Sequence, residues 1–261
     1  MKAYTYEKSH RVTTDITYVQ QHTGDKKWKD KIPKALFRGR DSNEGRLKLA
    51  EWNKTEPLLD AGITSYNFRP INETKWGPKA DFVPLSKMGD WKYNLLIDGT
   101  VAAYRAPYLF QHETVVLKQA SGESSVTTRH RTLYIYNKYL EYYEWWYRSM
   151  KPGVHYVLLK KDLSDAMEKI KFLHENDRNA RHIARVGSKK AQELLTAENM
   201  YCYYAKAFEK YAKLQKQKAK LYPASEHEQT RDPDGGESKC KCHLQWRDEN
   251  PIREEHTKDE L

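Results

Sequence analysis

The most constraining stretch of this sequence is residues 93–117. Tyr93-Asn94-Leu95-Leu96-Ile97 has the length and composition of a buried strand. Asp98-Gly99-Thr100 supplies a turn, and Val101, Ala102, Tyr104 and Arg105 begin a helical pattern that runs towards Phe110. Thr114-Val115-Val116-Leu117 is the next strand. Strand, glycine turn, helix and strand make a βαβ unit, whose two strands run parallel and need cover on both faces. The expected fold class is therefore α/β, with a Rossmann-like parallel sheet.

Other elements are placed around this unit. Ala35-Leu36-Phe37 reads as a short strand stopped by Arg38-Gly39-Arg40. Asp41 or Ser42 then caps a helix to about Asn53, with Leu47, Ala50 and Trp52 apolar. Residues 62–90 are rich in Gly and Pro and read as loop. Residues 120–138 are polar, match nothing around them, and read as a loop or an insertion. Residues 155–159 form a strand candidate. A helix capped at Asp162 or Ser164 places Leu163, Met167, Ile170 and Leu173 on one face. A second helix starts near Asp177 and is expected to stop at Gly187, a favoured residue just past a helix end. A third starts near Lys189, with a break near Asn199. Its Met200, Tyr204, Phe208 and Tyr211 recur at helical spacing and read as a core stripe. From Tyr222 onward Pro and Gly mark a flexible tail.

Composition excludes several classes. The 46 Lys and Arg against 36 Asp and Glu leave a net charge of +10, but 19 Tyr and 7 Trp supply the buried area that a disordered chain lacks. No apolar run approaches the roughly 18–20 residues of a membrane span. The lysines between 206 and 220 share a helix with the aromatic stripe and read as a solvated face, so a nucleic-acid partner is not expected.

Two loops carry chemistry. In a parallel sheet a strand end, a glycine and a helix start make a phosphate site, because unpaired backbone N–H groups meet the helix dipole there. Asp98-Gly99-Thr100 followed by Arg105 fits that pattern, and the planar guanidinium can grip a diphosphate bidentately. Phe37-Arg38-Gly39-Arg40-Asp41-Ser42 repeats the logic with two more arginines. A third segment, Tyr142-Tyr143-Glu144-Trp145-Trp146-Tyr147, sets aromatic rings around one acid, as in sugar sites. The bland alternatives are plain βα turns and a buried aromatic segment. His10, His22 and His112 stand alone and read as surface or satisfied core residues.

The two ends point different ways. Residues 1–8 are polar, without the 7–15-residue apolar stretch of a secretory signal. Lys258-Asp259-Glu260-Leu261 is a retrieval signal of the endoplasmic reticulum lumen. The two agree if the sequence belongs to a longer lumenal chain, which is the expectation adopted. Sequons at Asn53 and Asn72 fit that compartment. The three cysteines cannot form a complete disulfide framework. Cys202 reads as a small core residue. Cys240-Lys241-Cys242-His243 lacks the second ligand pair of a zinc site, so no metal is expected and an oxidised tail loop is preferred.

Together these segments resemble the family 90 glycosyltransferases, the capsule-associated-protein-like group that includes protein O-glucosyltransferases, and within it the members ending in KDEL. The resemblance is carried by residues 34–42, 94–109, 115–119, 142–147 and 151–157 and by the last four residues. It implies a GT-B enzyme of two Rossmann-like halves, this chain being the C-terminal, donor-binding half. Residues 1–30 would be a partial N-terminal segment, 31–221 the UDP-sugar-binding domain with a helical C-terminal segment, and 222–261 the tail. The resemblance implies that Arg38, Gly39, Arg40 and Ser42 line the nucleotide pocket, that Asp98, Gly99, Ala102, Ala103 and Arg105 approach the UDP, and that Glu144 lies near the ribose or sugar. Arg105 would neutralise the leaving diphosphate, with no metal cofactor. The implied reaction transfers glucose or xylose, with inversion, from UDP-glucose or UDP-xylose to a serine of EGF-like repeats. The implied partners are those repeats and the KDEL receptor. No catalytic base is nominated here, because the family carries it in the other half, and the chain alone is expected to transfer little sugar. The alternative is a non-catalytic resident protein of the reticulum that binds a nucleotide sugar or folding clients.

Overall fold

The computed structural model describes residues 26–100, 102–120 and 144–215. Five strands form one all-parallel sheet: β1 (Ile32–Arg40), β2 (Leu59–Ser65), β3 (Trp91–Leu96), β4 (Val115–Gln119) and β5 (Val157–Leu159). Their order across the sheet is β2-β1-β3-β4-β5. Among the described residues six α-helices accompany them: α1 (Glu44–Trp52), α2 (Glu73–Trp76), α3 (Ala106–Gln111), α4 (Ala166–Glu175), α5 (Asp177–Leu194) and α6 (Ala197–Leu214). The chain is an α/β protein, and the βαβ unit of residues 93–117 is its centre.

The central strands are buried on both faces. Residues 93–96 of β3 and all of β4 are buried, as expected of parallel strands under helices. One continuous core joins Phe37, Tyr93, Leu95 and Leu117 of the sheet to Leu47 and Leu49 of α1, Ile170 and Leu173 of α4, and Ala180 and Ala184 of α5. A separate aromatic cluster packs Phe110 edge-on against Trp146 and Tyr156, at 5.2 Å and 5.7 Å between ring centres.

Several boundaries differ from the sequence expectation. β1 runs on through Arg38, Gly39 and Arg40, which are strand rather than turn; the register against β2 shifts between Gly39 and Arg40. Asn43 caps α1, accepting the Gly45 N–H at 2.7 Å, in place of Asp41 or Ser42. β2 runs into the stretch read as loop, overlapping it at residues 62–65; its partner, β1, supplies the pairing. α3 begins only at Ala106, so residues 102–105 form a turn; Val101 lies outside the described residues. Leu163 precedes α4 with φ +61° and is fully buried there. α5 continues through Gly187 to Leu194, because His155 passes too close for any side chain at that position.

The described residues fall into two compact units that divide between Leu195 and Thr196. In the second, Thr196 caps α6 by accepting the Asn199 N–H at 3.2 Å. Met200 and Cys202 are buried, but Phe208, Tyr211 and Leu214 are exposed. Helical spacing put the stripe on one face; it could not say how much of that face is covered. Cys202 is disulfide-bonded, beyond the packing role expected of it. The tail cysteines, the KDEL signal, His10, His22 and all but one residue of the 120–138 stretch lie outside the described residues. No helix among the described residues is long and apolar enough to cross a membrane.

Candidate functional site

The strand order fixes where a ligand can sit. β1 and β3 are neighbours, but the chain leaves β1 for β2 on one side and reaches β3 on the other. Such a switch point opens a crevice at the carboxyl ends of the two strands, and open α/β sheets bind ligands there. Both glycine-bearing loops singled out in the sequence emerge at this point.

At the end of β1, Asp41 is fully buried, and its carboxylate accepts the backbone N–H groups of Asn67, Phe68 and Arg69 at 2.8, 3.1 and 2.7 Å. Burial alone would raise its pKa, but these donors outweigh it and the pKa lies below the usual value. Asp41 therefore anchors the chain after β2. At the end of β3, Asp98 Oδ1 accepts the Ala103 N–H at 3.1 Å and closes the loop ahead of α3.

Arg46 ties the two loops together. It projects from the first turn of α1 and is buried. Its guanidinium donates to Ile97 O (2.9 Å) and Asp98 O (3.0 Å) on one side, and to Ser42 Oγ (3.1 Å) and Arg40 O (3.3 Å) on the other. Burial holds its pKa below the ordinary arginine value. The glycines let these groups close in. A Cβ on Gly39 would lie 2.9 Å from Arg105 Nη2, and one on Gly99 would lie 3.0 Å from Ser42 Oγ.

Between the loops is a hollow of about 480 Å³, lined by Arg38, Gly39, Arg40, Ser42, Arg46, Gly99, Ala102, Ala103 and Arg105, with Phe82, Val83, Leu85 and Met88 as an apolar wall. Eight of the ten residues expected at a nucleotide site thus share one hollow, Arg40 and Arg105 among them. Asp98 is buried and does not line it. Glu144 is not in it. A larger hollow, about 910 Å³, lies at the other ends of the strands among Lys27, Lys29, Lys92, Arg178 and Arg181. Only the smaller one lies at the β1/β3 switch point.

The four arginines of the hollow are not equivalent. Arg38 is committed to the fold: it donates to Asp60 O at 2.7 Å, to Asp81 O at 3.2 Å, and pairs with Asp60 Oδ1 at 2.6 Å. Arg46 is committed to the loops. Arg105 donates to Arg38 O and stacks over the Phe37 ring at 5.4 Å. Burial, and secondarily Arg46, push its pKa down to about 9, so it stays charged at neutral pH. Arg40 is exposed and makes no ion pair with a described residue.

Beneath the loops lies a buried charge cluster. Lys118 Nζ is 3.8 Å from Asp98 Oδ2 and 5.3 Å from the centre of the Tyr147 ring. Burial lowers its pKa, which Asp98 and Glu144 partly restore. Glu144 is pushed up to about 7 by burial, with Lys118 opposing and Asp98 adding. The described residues contain no cluster of three or more His, Cys, Asp or Glu that could hold a metal ion.

A family model described as glycosyl transferase family 90 matches residues 7–231. The chain belongs to glycosyltransferase family 90. It is 40% identical over 252 residues to Protein O-glucosyltransferase 3 of Mus musculus, covering 96% of this chain and 45% of that protein. The human Protein O-glucosyltransferase 3 is 38% identical over 95% of this chain and 44% of its own length. Protein O-glucosyltransferase 2 of Danio rerio is 38% identical over 82% of this chain and 39% of its own. The chain therefore spans less than half the length of these relatives.

Three features of this family 90 domain were not read from the sequence. Arg46 gave one signal, an arginine four residues after Ser42, which a helix would return to the strand ends. Lys118 gave another, a lysine directly after the apolar Val115-Val116-Leu117 run. The apolar wall gave none. Two of its residues are held through their backbone carbonyls, Met88 O by Asn94 at 2.9 Å and Leu85 O by the more distant His112 at 3.0 Å. His112 is thereby a satisfied, buried histidine.

Proposed function

We propose that this chain is the donor-binding half of a UDP-sugar-dependent protein O-glucosyltransferase. The observation that carries the reading is the shared hollow at the β1/β3 switch point, cationic at one end through Arg40 and Arg105 and apolar along Phe82, Val83, Leu85 and Met88. A nucleoside diphosphate has matching parts: a doubly charged diphosphate and a flat ring with apolar faces. Arg105 and Arg40 would bind the diphosphate and stabilise it as it leaves, in place of a metal ion. Gly39 and Gly99 would let backbone approach the phosphates. Ser42, Ala102 and Ala103 would line their path, with Asp98 and Arg46 fixing the loops. Glu144, buried and not among the lining residues of this hollow, would be the residue near the ribose or sugar.

The names of the relatives support glucose as the transferred sugar; UDP-xylose is the second donor considered. The acceptor would be a serine of an EGF-like repeat, deprotonated by a carboxylate outside this chain, with inversion at the sugar. The C-terminal Lys258-Asp259-Glu260-Leu261 supports the endoplasmic reticulum lumen and its KDEL receptor, and Asn53 and Asn72, both exposed, are available for glycosylation.

Calorimetric titration with UDP, in the presence of a chelator, tests the reading. The chain is expected to bind, and Arg105→Ala to bind about 10–100-fold more weakly, the worth of one or two charge-assisted hydrogen bonds. Unchanged UDP affinity in a folded Arg105→Ala chain would remove Arg105 from the site. UDP binding by a longer chain that transfers no sugar to a folded EGF-like repeat would favour the non-catalytic alternative.

A further inference from the structure

Lys118 sits in the middle of the sheet, where a lysine is costly. In register it pairs with Leu96 on β3 and Leu158 on β5. It is 1% exposed. An ammonium buried this deeply is stable only when paired and hydrogen-bonded. Its Nζ donates to Gln119 O at 3.2 Å and lies 3.8 Å from Asp98 Oδ2. An apolar residue of similar length would suit the strand better, since Val115, Val116 and Leu117 are all fully buried around it.

The charge has a use one step away. Asp98 uses its two oxygens differently: Oδ2 faces Lys118, and Oδ1 accepts the Ala103 N–H. The described residues of this loop, 98–100 and 102–105, belong to no helix or strand, because α3 starts only at Ala106. Yet it carries Gly99, Ala102, Ala103 and Arg105 into the hollow. Arg46 restrains it too, holding the backbone carbonyls of Ile97 and Asp98, and Arg105 ties its far end to Arg38 O. The charged and titratable groups around the ammonium are Asp98 from the β3 loop, Glu144 just before the 3₁₀ helix Trp145–Ser149, and Tyr147 within it.

We propose that Lys118 is a positioning residue of the donor site: its buried ammonium orients the Asp98 carboxylate, which sets the 98–105 loop at the spacing that receives a diphosphate. Lys118 touches no ligand itself. The proposal rests on the donor-binding reading above.

The test is a double-mutant cycle read by UDP calorimetry on the full chain, with Lys118→Met, Asp98→Asn and the double variant, and with Val116→Ala as a core control. Unfolding of each variant is measured in parallel. Lys118→Met is expected to lower UDP affinity at least tenfold, and Asp98→Asn by a similar factor. The double variant should fall no further than either single one, because the lysine acts through the aspartate. Val116→Ala should lose stability while keeping UDP affinity within twofold, which separates positioning from general loosening. If Lys118→Met does not fold, Asp98→Asn carries the test, since it keeps the shape and breaks the ion pair. Wild-type binding with a folded variant within twofold of it overturns the role of Lys118 alone. Additive losses in the double variant overturn the route through Asp98. Failure of the wild-type chain to bind UDP overturns the donor reading, and this proposal with it.

Discussion

Gly187→Ala offers a prediction whose sign depends on one contact. Gly187 lies inside α5, and in an uncrowded helix alanine there would be favourable by about 1 kcal/mol. The structure reverses that. A Cβ at Gly187 would lie 2.1 Å from His155 O, 3.1 Å from its carbonyl carbon and 3.5 Å from its Cα. These are backbone atoms, held by His155 N donating to Lys151 O at 2.9 Å and by Lys151 N donating to His155 Nδ1 at 2.7 Å. No side-chain rotation relieves the overlap. Either α5 or the 151–156 turn must shift by about an ångström, and overpacking of this kind costs about 1–3 kcal/mol or more. Overlap with fixed backbone puts this site at the upper end, about 3 kcal/mol, so set against the propensity gain of about 1 the net loss is about 2 kcal/mol. In a domain of this size that lowers the melting temperature by about 4–8 °C. Urea unfolding followed by tryptophan fluorescence, with a thermal melt alongside, reads it directly. A Gly187→Ala chain as stable as the parent, or more so, would show that the helix and the turn do not meet as described.

Other substitutions probe the site. The Glu144 carboxyl is buried and pushed up to about 7 from an ordinary 4.5, so the folded chain keeps a proton that the unfolded chain has lost. Its contribution to stability is greatest below pH 4.5 and falls by about 3 kcal/mol as pH rises to 7. Glu144→Gln should abolish that decline, and parallel pH–stability profiles for parent and variant would refute it. Arg46→Lys keeps the charge but leaves about two of the carbonyls of Arg40, Ile97 and Asp98 without a donor, at about 1–2 kcal/mol each; chemical unfolding should show a loss of about 3 kcal/mol, and a loss below 1 would show that Arg46 does not hold the loops together. The depressed pKa of Asp41 means that its contribution is present above pH 3.8 and lost as pH falls below it. Asp41→Asn should therefore destabilise at pH 7, and the gap to the parent should narrow as pH falls below 3.8. Arg40→Ala, at an exposed cation committed to no described partner, should weaken UDP binding with little change in stability, and an unaltered titration would remove Arg40 from the diphosphate.

How much of this could be read beforehand depended on how local each signal was. The run from Tyr93 to Ile97 was legible because parallel strands buried on both faces are continuously apolar. β2 was not, since Leu59–Ser65 takes its strand character from β1 beside it rather than from its own residues. The helix after Gly99 was read five residues too early because Val101, Ala102 and Ala103 have helical composition, while Asp98 spends an oxygen on the Ala103 N–H and residues 102–105 form a turn. Gly187 was read as a helix end for a sound local reason, and the distant His155 overrode it.

By itself the sequence determined the elements whose burial pattern is repeated in neighbouring residues, the α/β class, and the chemical character of the two arginine-bearing loops. Their meeting is a property of the fold, because β1 and β3 are separated by some fifty residues of chain and are adjacent only through the strand order. The same holds for Arg46, which is an ordinary helical arginine until the packing of α1 brings four acceptors from both loops within reach of one guanidinium. Hydrogen bonds between distant segments depend on positions in space, and a linear pattern carries residue types but not those positions.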